Sequence, residues 1–579
     1  MSDTEQRSDD ELARFDRFLE GWSRRDFLKR SGAAAAFAAF MAACAPTTAT
    51  PSSAQGSAKP AVTPVKGGTL TEGNSLPVIE FNPVNRTNTP HNINVPLTLE
   101  CLYAASATGT LEPRLAASLP AISSDGLTYT VPLRKSTTWS DGKPLTADDV
   151  VFTFNLMLDP QYATVTSAHR ADMRLKVATV QAADPYTVIF RLKSPDAPFT
   201  SRLCNIDIAP RQVLGSLSPA QIQATFTEPP TVVNGVFKVV DWKRGEYVKY
   251  VRNESFYDGP SFLDGYLYKV IPTTEGLLNQ LKTGEIDVAR IPTPGVFDQL
   301  KSTPNLDALF IPATFIHGVA YNLDPARPSS KILSSKAVRQ ALLYALDRDG
   351  MVNGIFFKYA KAQDSVLIPE SWAHSDTKLR YVYDPKKAGD MLDAEGWKMG
   401  ASGVREKNGA PLKFEFLTST GTPETPLMAA VMQQNWKKIG VDVSVRQLAQ
   451  PEWIAKTNIE HDFDMGYGGA SASPLDPDLS GSLHSRNVGA RGSNYSSYVN
   501  PEIDKLLDQA VAIADQAARK KLYVQIQDII LEDVPVAPTL IQQYAWAFNK
   551  RVHGMGEGDV GVYNIITQRI GMNRVFVTP

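Results

Sequence analysis

Residues 412–445 carry a pattern that a parallel sheet with both faces covered satisfies. Residues 412–417 read as a strand. Residues 424–438 read as a helix that turns Met428, Val431, Met432 and Trp436 inward, Gly440 stops it, and residues 441–445 return to strand character. Parallel strands joined through a helix form sheets buried on both sides, and ligands of such sheets sit at the carboxyl ends of the strands. The same mixture continues elsewhere. Residues 127–131 and 186–192 have the period of half-exposed strands. Between them Thr146 caps a helix, Asp148 and Asp149 meet the positive end of its dipole, and Val150, Val151, Phe154 and Met157 or Leu158 share one face. Helices at 501–513 and 516–531 precede a strand-like run at 536–548. The expectation is a mixed α/β body.

From Gly67 onward the chain is far longer than the roughly 250–300 residues at which one hydrophobic core stops growing, so at least two lobes are expected. Over the full sequence 59 Lys and Arg nearly balance 61 Asp and Glu, which suggests neither nucleic acid nor an anionic membrane surface as a partner. The seven histidines lack the i, i+4 spacing of a helical metal site, and no intrinsic metal or cofactor is expected. There is no Gly-x-Ser-x-Gly elbow, Cys-Gly-Ser-Cys, His-Glu-x-x-His or phosphate-cradling glycine loop, which argues against a secreted hydrolase with one of those motifs.

The first residues read as an export signal. Arg24 and Arg25 stand in a charged leader before an apolar stretch at 31–43, the layout of a twin-arginine signal, and that stretch is shorter than the roughly 20 residues of a spanning helix. Met41-Ala42-Ala43-Cys44 resembles the bacterial lipobox, in which the cysteine becomes the first mature residue and carries the acyl chains. Residues 1–43 are therefore assigned to the signal peptide and 44–66, rich in Pro, Thr, Ser and Ala, to a tether spanning about 25 Å as a flexible chain. The mature body is expected outside the cytoplasm, lipid-anchored to the outer face of a membrane. A disulfide between Cys101 and Cys204 is one reading for a protein outside the cytoplasm; twin-arginine substrates fold before export in a reducing compartment, which favours the other, two buried thiols.

Several segments resemble the bacterial extracellular solute-binding proteins of family 5, the dipeptide, oligopeptide and nickel binding group that serves ABC importers. The clearest is Trp139-Ser140-Asp141-Gly142-Lys143-Pro144-Leu145-Thr146-Ala147-Asp148-Asp149-Val150-Val151-Phe152, whose acidic residues are explained as turn and cap groups. Asn234-Gly235-Val236-Phe237-Lys238, Gly284-Glu285-Ile286-Asp287, Val338-Arg339-Gln340-Ala341-Leu342, Tyr383-Asp384-Pro385 and Asn500-Pro501-Glu502-Ile503-Asp504 follow in order. The resemblance implies two α/β lobes of the periplasmic-binding-protein type (cluster C), joined by strands that cross twice and closing like a hinged trap. Lobe I would combine residues 67–312 and 537–579, with an extra subdomain at about 109–231, and lobe II would be 313–536. The implied protein is a monomeric receptor, without catalysis, that delivers an oligopeptide-like or other medium-sized polar solute to an ABC permease. An oligosaccharide or opine-like solute is the alternative, and a secreted hydrolase or a sensor for a membrane kinase is the alternative of a different class.

The resemblance also points to ligand positions. A loop after Asp462-Phe463-Asp464 is expected to contact the ligand, running from Gly466 to Asp478. In peptide-binding members an aspartate three positions before the acidic-Pro pair holds the peptide amino terminus; Ser473 stands there, which weakens the case for free peptides. Gly469, Ala470, Ser471, Ala472 and Ser473 would make a roomy wall with hydroxyl groups, while Asp476 and Asp478 read as turn formers. Thr87, Thr89 and His91 would line the cleft from lobe I, as would Gln543, Tyr544 and Trp546 where the chain returns, with His317 and Tyr321 near the entry to lobe II.

Overall fold

The computed structural model describes residues 62–86, 89–106, 109–375, 380–420, 424–471, 475–489, 493–555 and 569–579, with backbone alone at 89–90, 314 and 469–471. The leader, Arg24, Arg25, Cys44, the tether up to residue 61, Thr87, Ala472 and Ser473 lie outside the described residues. None of the described helices is long and apolar enough to cross a membrane.

One eleven-stranded sheet runs through the body. Across it the strands follow the order Asp442–Leu448, Lys413–Ser419, Met465–Ser471, Leu306–Tyr321, Val536–Asn549, Val288–Ile291, Thr69–Asn74, Gly265–Val270, Tyr247–Arg252 and Phe237–Lys243, with Ala360–Ala362 also paired to Val536–Asn549. The two longest strands, Leu306–Tyr321 and Val536–Asn549, stand at the centre and belong to both lobes. From Leu306 to Pro312 the first pairs with residues 543–549, and after a register shift Ile316 to Ala320 pair with residues 536–541. A shift of this kind bends and twists a ladder locally, which is what a chain passing from one lobe to another needs. Beyond the centre, lobe I holds Val288–Ile291 on the 545–548 half of the second strand, and lobe II holds Met465–Ser471 on the 315–321 half of the first. Gly318 lies in this seam, where an added Cβ would sit 2.7 Å from the Ala537 carbonyl oxygen, so only glycine lets the two strands approach.

The expected βαβ unit is present. Lys413–Ser419 and Asp442–Leu448 run parallel, and the connecting helix Glu424–Lys438 buries Met428, Met432 and Trp436, with Val431 half-buried. The Trp436 indole N–H donates to the Leu342 carbonyl at 2.9 Å, and Gly440 ends the helix at φ +78°.

The extra subdomain is built on a separate four-stranded sheet, in the order Ala121–Ile122, Thr128–Pro132, Thr187–Leu192 and Val177–Asp184, packed by the helix Ala147–Leu158. Phe154, Phe190 and Phe199 meet edge to face in its core. The Trp139 segment is scaffold here: buried Asp149 accepts from the Thr146 N–H at 2.9 Å, the Arg211 N–H at 3.1 Å and the Trp139 indole N–H at 3.3 Å. One carboxylate thus fixes the helix start, the turn before it and a distant loop. Cys101 and Cys204 are both buried free thiols.

One reading is corrected. Residues 462–464 lie outside the strands, with a bend at Asp464: Asp462 takes Arg327 at 2.5 Å and Lys456 at 2.9 Å, and the Asp464 carboxylate accepts from the Glu415 N–H at 2.9 Å. The expected loop from Gly466 to Asp478 begins instead as strand, since Met465–Ser471 pairs inside the main sheet. Its glycines hid it from a periodicity reading, because strand character there comes from backbone pairing and not from side chains.

Replacing Asp149 by Ala leaves three backbone and indole donors without their acceptor. The substitution is expected to cost about 3 kcal/mol of stability, read as a lower urea midpoint.

Candidate functional site

The central strands place His317 where they change lobe, between the two register shifts of their ladder. Its carbonyl accepts from the Thr539 hydroxyl at 2.8 Å, and its Nδ1 lies 2.5 Å from the Tyr467 hydroxyl. Phe315, Phe356 and Tyr467 surround the ring at centroid distances of 5.3, 5.7 and 5.9 Å. Burial in this aromatic box pushes the imidazole down to about 4, although the neighbouring Gln542 amide partly opposes the shift. Burial drives the Tyr467 phenol well above its ordinary range, with the Glu424 carboxylate reinforcing the effect and Thr425 opposing it. This is a neutral polar core at the junction of the lobes.

Other expected site residues are spread around this point. Backbone pairing sets Gly469 opposite His317, Ala470 opposite Ile316 and Ser471 opposite Phe315, so the small residues enter beside the crossing strand. The nearby Gly468 has a packing reason, since an added Cβ would lie 2.9 Å from the Tyr495 hydroxyl. Gln543 and Tyr544 are half-buried on the returning strand; the Gln543 N–H donates to the Tyr359 carbonyl at 2.8 Å, and Arg290 covers the Tyr544 ring at 3.7 Å. Thr89 and His91 lie on the helix Thr89–Thr98, with the His91 ring buried 3.3 Å from the Asn85 carbonyl. Tyr321 is buried within the lobe II core, and Trp546 within the lobe I core beside Leu70, Val288 and Leu309.

A second junction escaped sequence reasoning. Arg202, in the subdomain, donates to Asp196 at 2.9 Å, to Asp172 at 3.1 Å and, 276 positions along the chain, to Asp478 of lobe II at 2.6 Å. Asp478 also accepts from the Ser480 N–H, and Asp476 binds Arg519 through two contacts of 2.7 Å. The i, i+2 bond from Ser480 fits the turn role expected of Asp478, and beyond it both carboxylates are held by buried or half-buried guanidinium groups. Burial raises Asp478, but Arg202 and the Ser480 donors outweigh it and leave its pKa below the usual value. Leu475 packs into the subdomain core, and the Ala197 N–H donates to the Val511 carbonyl at 2.7 Å. Beside this contact opens a cavity of about 600 Å³, lined on one side by the subdomain and on the other by residues of the 476–493 region. No local pattern announces these pairs, because their partners are brought together only by the fold.

Among the described residues no cluster of His, Cys, Asp and Glu could hold a metal ion. Residues 110–490 match the bacterial extracellular solute-binding proteins, family 5 Middle. The chain belongs to the family 5 extracellular solute-binding proteins. The oligopeptide-binding protein AppA of Bacillus subtilis is 30% identical over 517 residues, covering 86% of this chain and 90% of its own. The structure of AppA in complex with a nonapeptide superposes with a TM-score of 0.75 at 27% identity, over 89% of this chain and all of that one. NikZ of Campylobacter jejuni, in complex with Ni(L-His), gives a TM-score of 0.72 at 28% identity, over 84% and 95% of the two chains. The two-lobed architecture is that of the family.

Burial of His317 predicts acid sensitivity where the crossing strands shift register. The unfolded histidine takes a proton near 6.5 and the folded one only near 4, so the stabilisation is complete above pH 6.5 and is lost as pH falls through that window. His169, also pushed down to about 4 by burial, adds to the loss. Chemical denaturation at pH 7 and pH 4 should show His317→Gln losing about 3 kcal/mol less than the unaltered protein between the two.

Proposed function

We propose that this protein is an extracytoplasmic receptor, tethered to a membrane by a lipid on Cys44, that closes on an oligopeptide-like or other medium-sized polar solute and presents it to an ABC permease. The observation that carries the reading is the sheet itself. Two lobes share one pair of antiparallel strands, and the ladder between those strands is irregular where they pass from one lobe to the other. Such a joint permits hinge closure while keeping both lobes in register. Family membership supplies the class of activity, the binding of a solute without chemical change. The nonapeptide held by AppA supports a peptide-sized ligand.

The irregularity between Pro312 and Ile316 supports dividing the first strand near 312/313. Gln543 and Ile541 stand opposite those residues, so we place the division of the second strand there and not at 536/537. Lobe I then comprises 67–312 and the chain after about 542, with the subdomain at about 109–231, and lobe II lies between. Arg24 and Arg25 support twin-arginine export, and the short apolar stretch before Cys44 supports lipidation over a spanning anchor. The receptor is proposed to act as a monomer.

Two experiments test the reading. Native mass spectrometry of the body from Gly67, purified from its producer and then gently denatured, should release one stoichiometric small molecule whose mass separates peptide from sugar. An empty protein without a thermal shift in peptide and oligosaccharide mixtures would contradict the receptor assignment. Cys44→Ser should move the full-length protein from the membrane pellet to the soluble extracytoplasmic fraction, whereas unchanged pelleting would refute the lipid anchor.

A further inference from the structure

We propose that the cavity between the extra subdomain and lobe II is a ligand subsite that takes a polar, uncharged stretch of an extended oligopeptide. The inference rests on the receptor reading above and adds a length and charge preference to it.

The cavity has Ser201 and Arg202 of the subdomain on one wall and Asp476 and Asp478 on the other, so it lies across the junction of the subdomain with lobe II. Its volume of about 600 Å³ falls within the roughly 300–1,000 Å³ of sites that hold a drug-sized molecule. A very short peptide held at the crossing strands would leave such a space empty, and a longer one would fill it.

The wall chemistry selects what can enter. Arg202 is paired with Asp196, Asp172 and Asp478; Lys176 contacts Asp196 at 2.9 Å, Asp476 is bound by Arg519, and Arg486 reaches Asp508 at 3.1 Å. Each charged group on the wall is therefore compensated by the protein. Ser201, Asn205, Ser480, Asn487 and Ser493 add hydroxyl and carboxamide groups that can serve a peptide backbone or neutral side chains. A lone charge from the ligand would enter without a waiting counter-charge and would lose its hydration.

Gly481 offers a direct test. It lines the cavity, and an added Cβ there would meet nothing within 4 Å, so Gly481→Trp can fill the space without displacing backbone. Binding of a random nonapeptide pool and a random tripeptide pool would be titrated by native mass spectrometry, with thermal melts as the fold control. The preference for nonapeptide over tripeptide should fall at least about tenfold in Gly481→Trp, and also in Ser201→Trp, which enters from the opposite wall. Within the nonapeptide pool the unaltered protein should enrich sequences with a neutral run. An unchanged length preference in both variants, at unchanged melting temperature, would overturn the subsite while leaving the receptor reading intact. Binding of neither peptide pool by the unaltered protein, with capture of a maltooligosaccharide pool instead, would overturn the peptide assignment itself.

Discussion

The ladder between Leu306–Tyr321 and Val536–Asn549 is the constraint on which the rest of the molecule depends. Each strand is paired along most of its length, so neither lobe can turn without the other strand following, and the interruption after Pro312 concentrates bending at one level of the ladder. His317 and Gly318 occupy that level for different reasons. The glycine removes a side chain where two backbones converge, and the histidine ties the strand to Tyr467 while remaining neutral in an aromatic box. A charged residue at this level would pay for desolvation without a partner.

Closure in such a trap is a contest between contacts made across the lobes and the freedom lost on making them. The contacts here are of two kinds. Near the returning strand, Tyr359 lies between Phe297 and Phe310 and donates to Asp298 at 2.5 Å, an apolar and polar anchor that joins the 355–362 segment to lobe I. At the subdomain the junction is ionic, with Arg202 serving three carboxylates, and it is backed by Leu475 in the subdomain core. Arg202 is partly exposed, so its link to Asp478 is a modest and salt-sensitive contribution to this junction.

Much of the architecture was legible in the sequence because it is written in local periodicity. The βαβ unit, the helix after Trp139 and the two late helices combine an apolar period with a capping residue or a terminal glycine, and each is found in place, as is the returning strand. Met465–Ser471 was misread because glycine carries no period and its pairing partner lies about 150 residues away. The candidate site was less legible still. His317 was singled out and stands where the crossing strands shift register, but Arg202, Arg519 and Gly481 gave no signal, since an ion pair or a cavity wall is a property of three-dimensional proximity and not of spacing. Asp476 and Asp478 show the limit most clearly: their flanking proline made a turn the simplest reading, and the guanidinium groups that claim them come from elsewhere in the fold.

The central claim, that two lobes hinge about the crossing strands and close on a solute, is tested most directly by an inter-lobe distance. Val240 in lobe I and Val382 in lobe II are exposed, while Cys101 and Cys204 are buried and poorly placed to react, so spin labels on Val240→Cys and Val382→Cys report on the lobes selectively. Pulsed electron–electron resonance should show a broad distance distribution for the emptied protein that narrows and shifts when the solute released from the native protein is returned. An identical distribution with and without that solute would contradict the hinged-trap account.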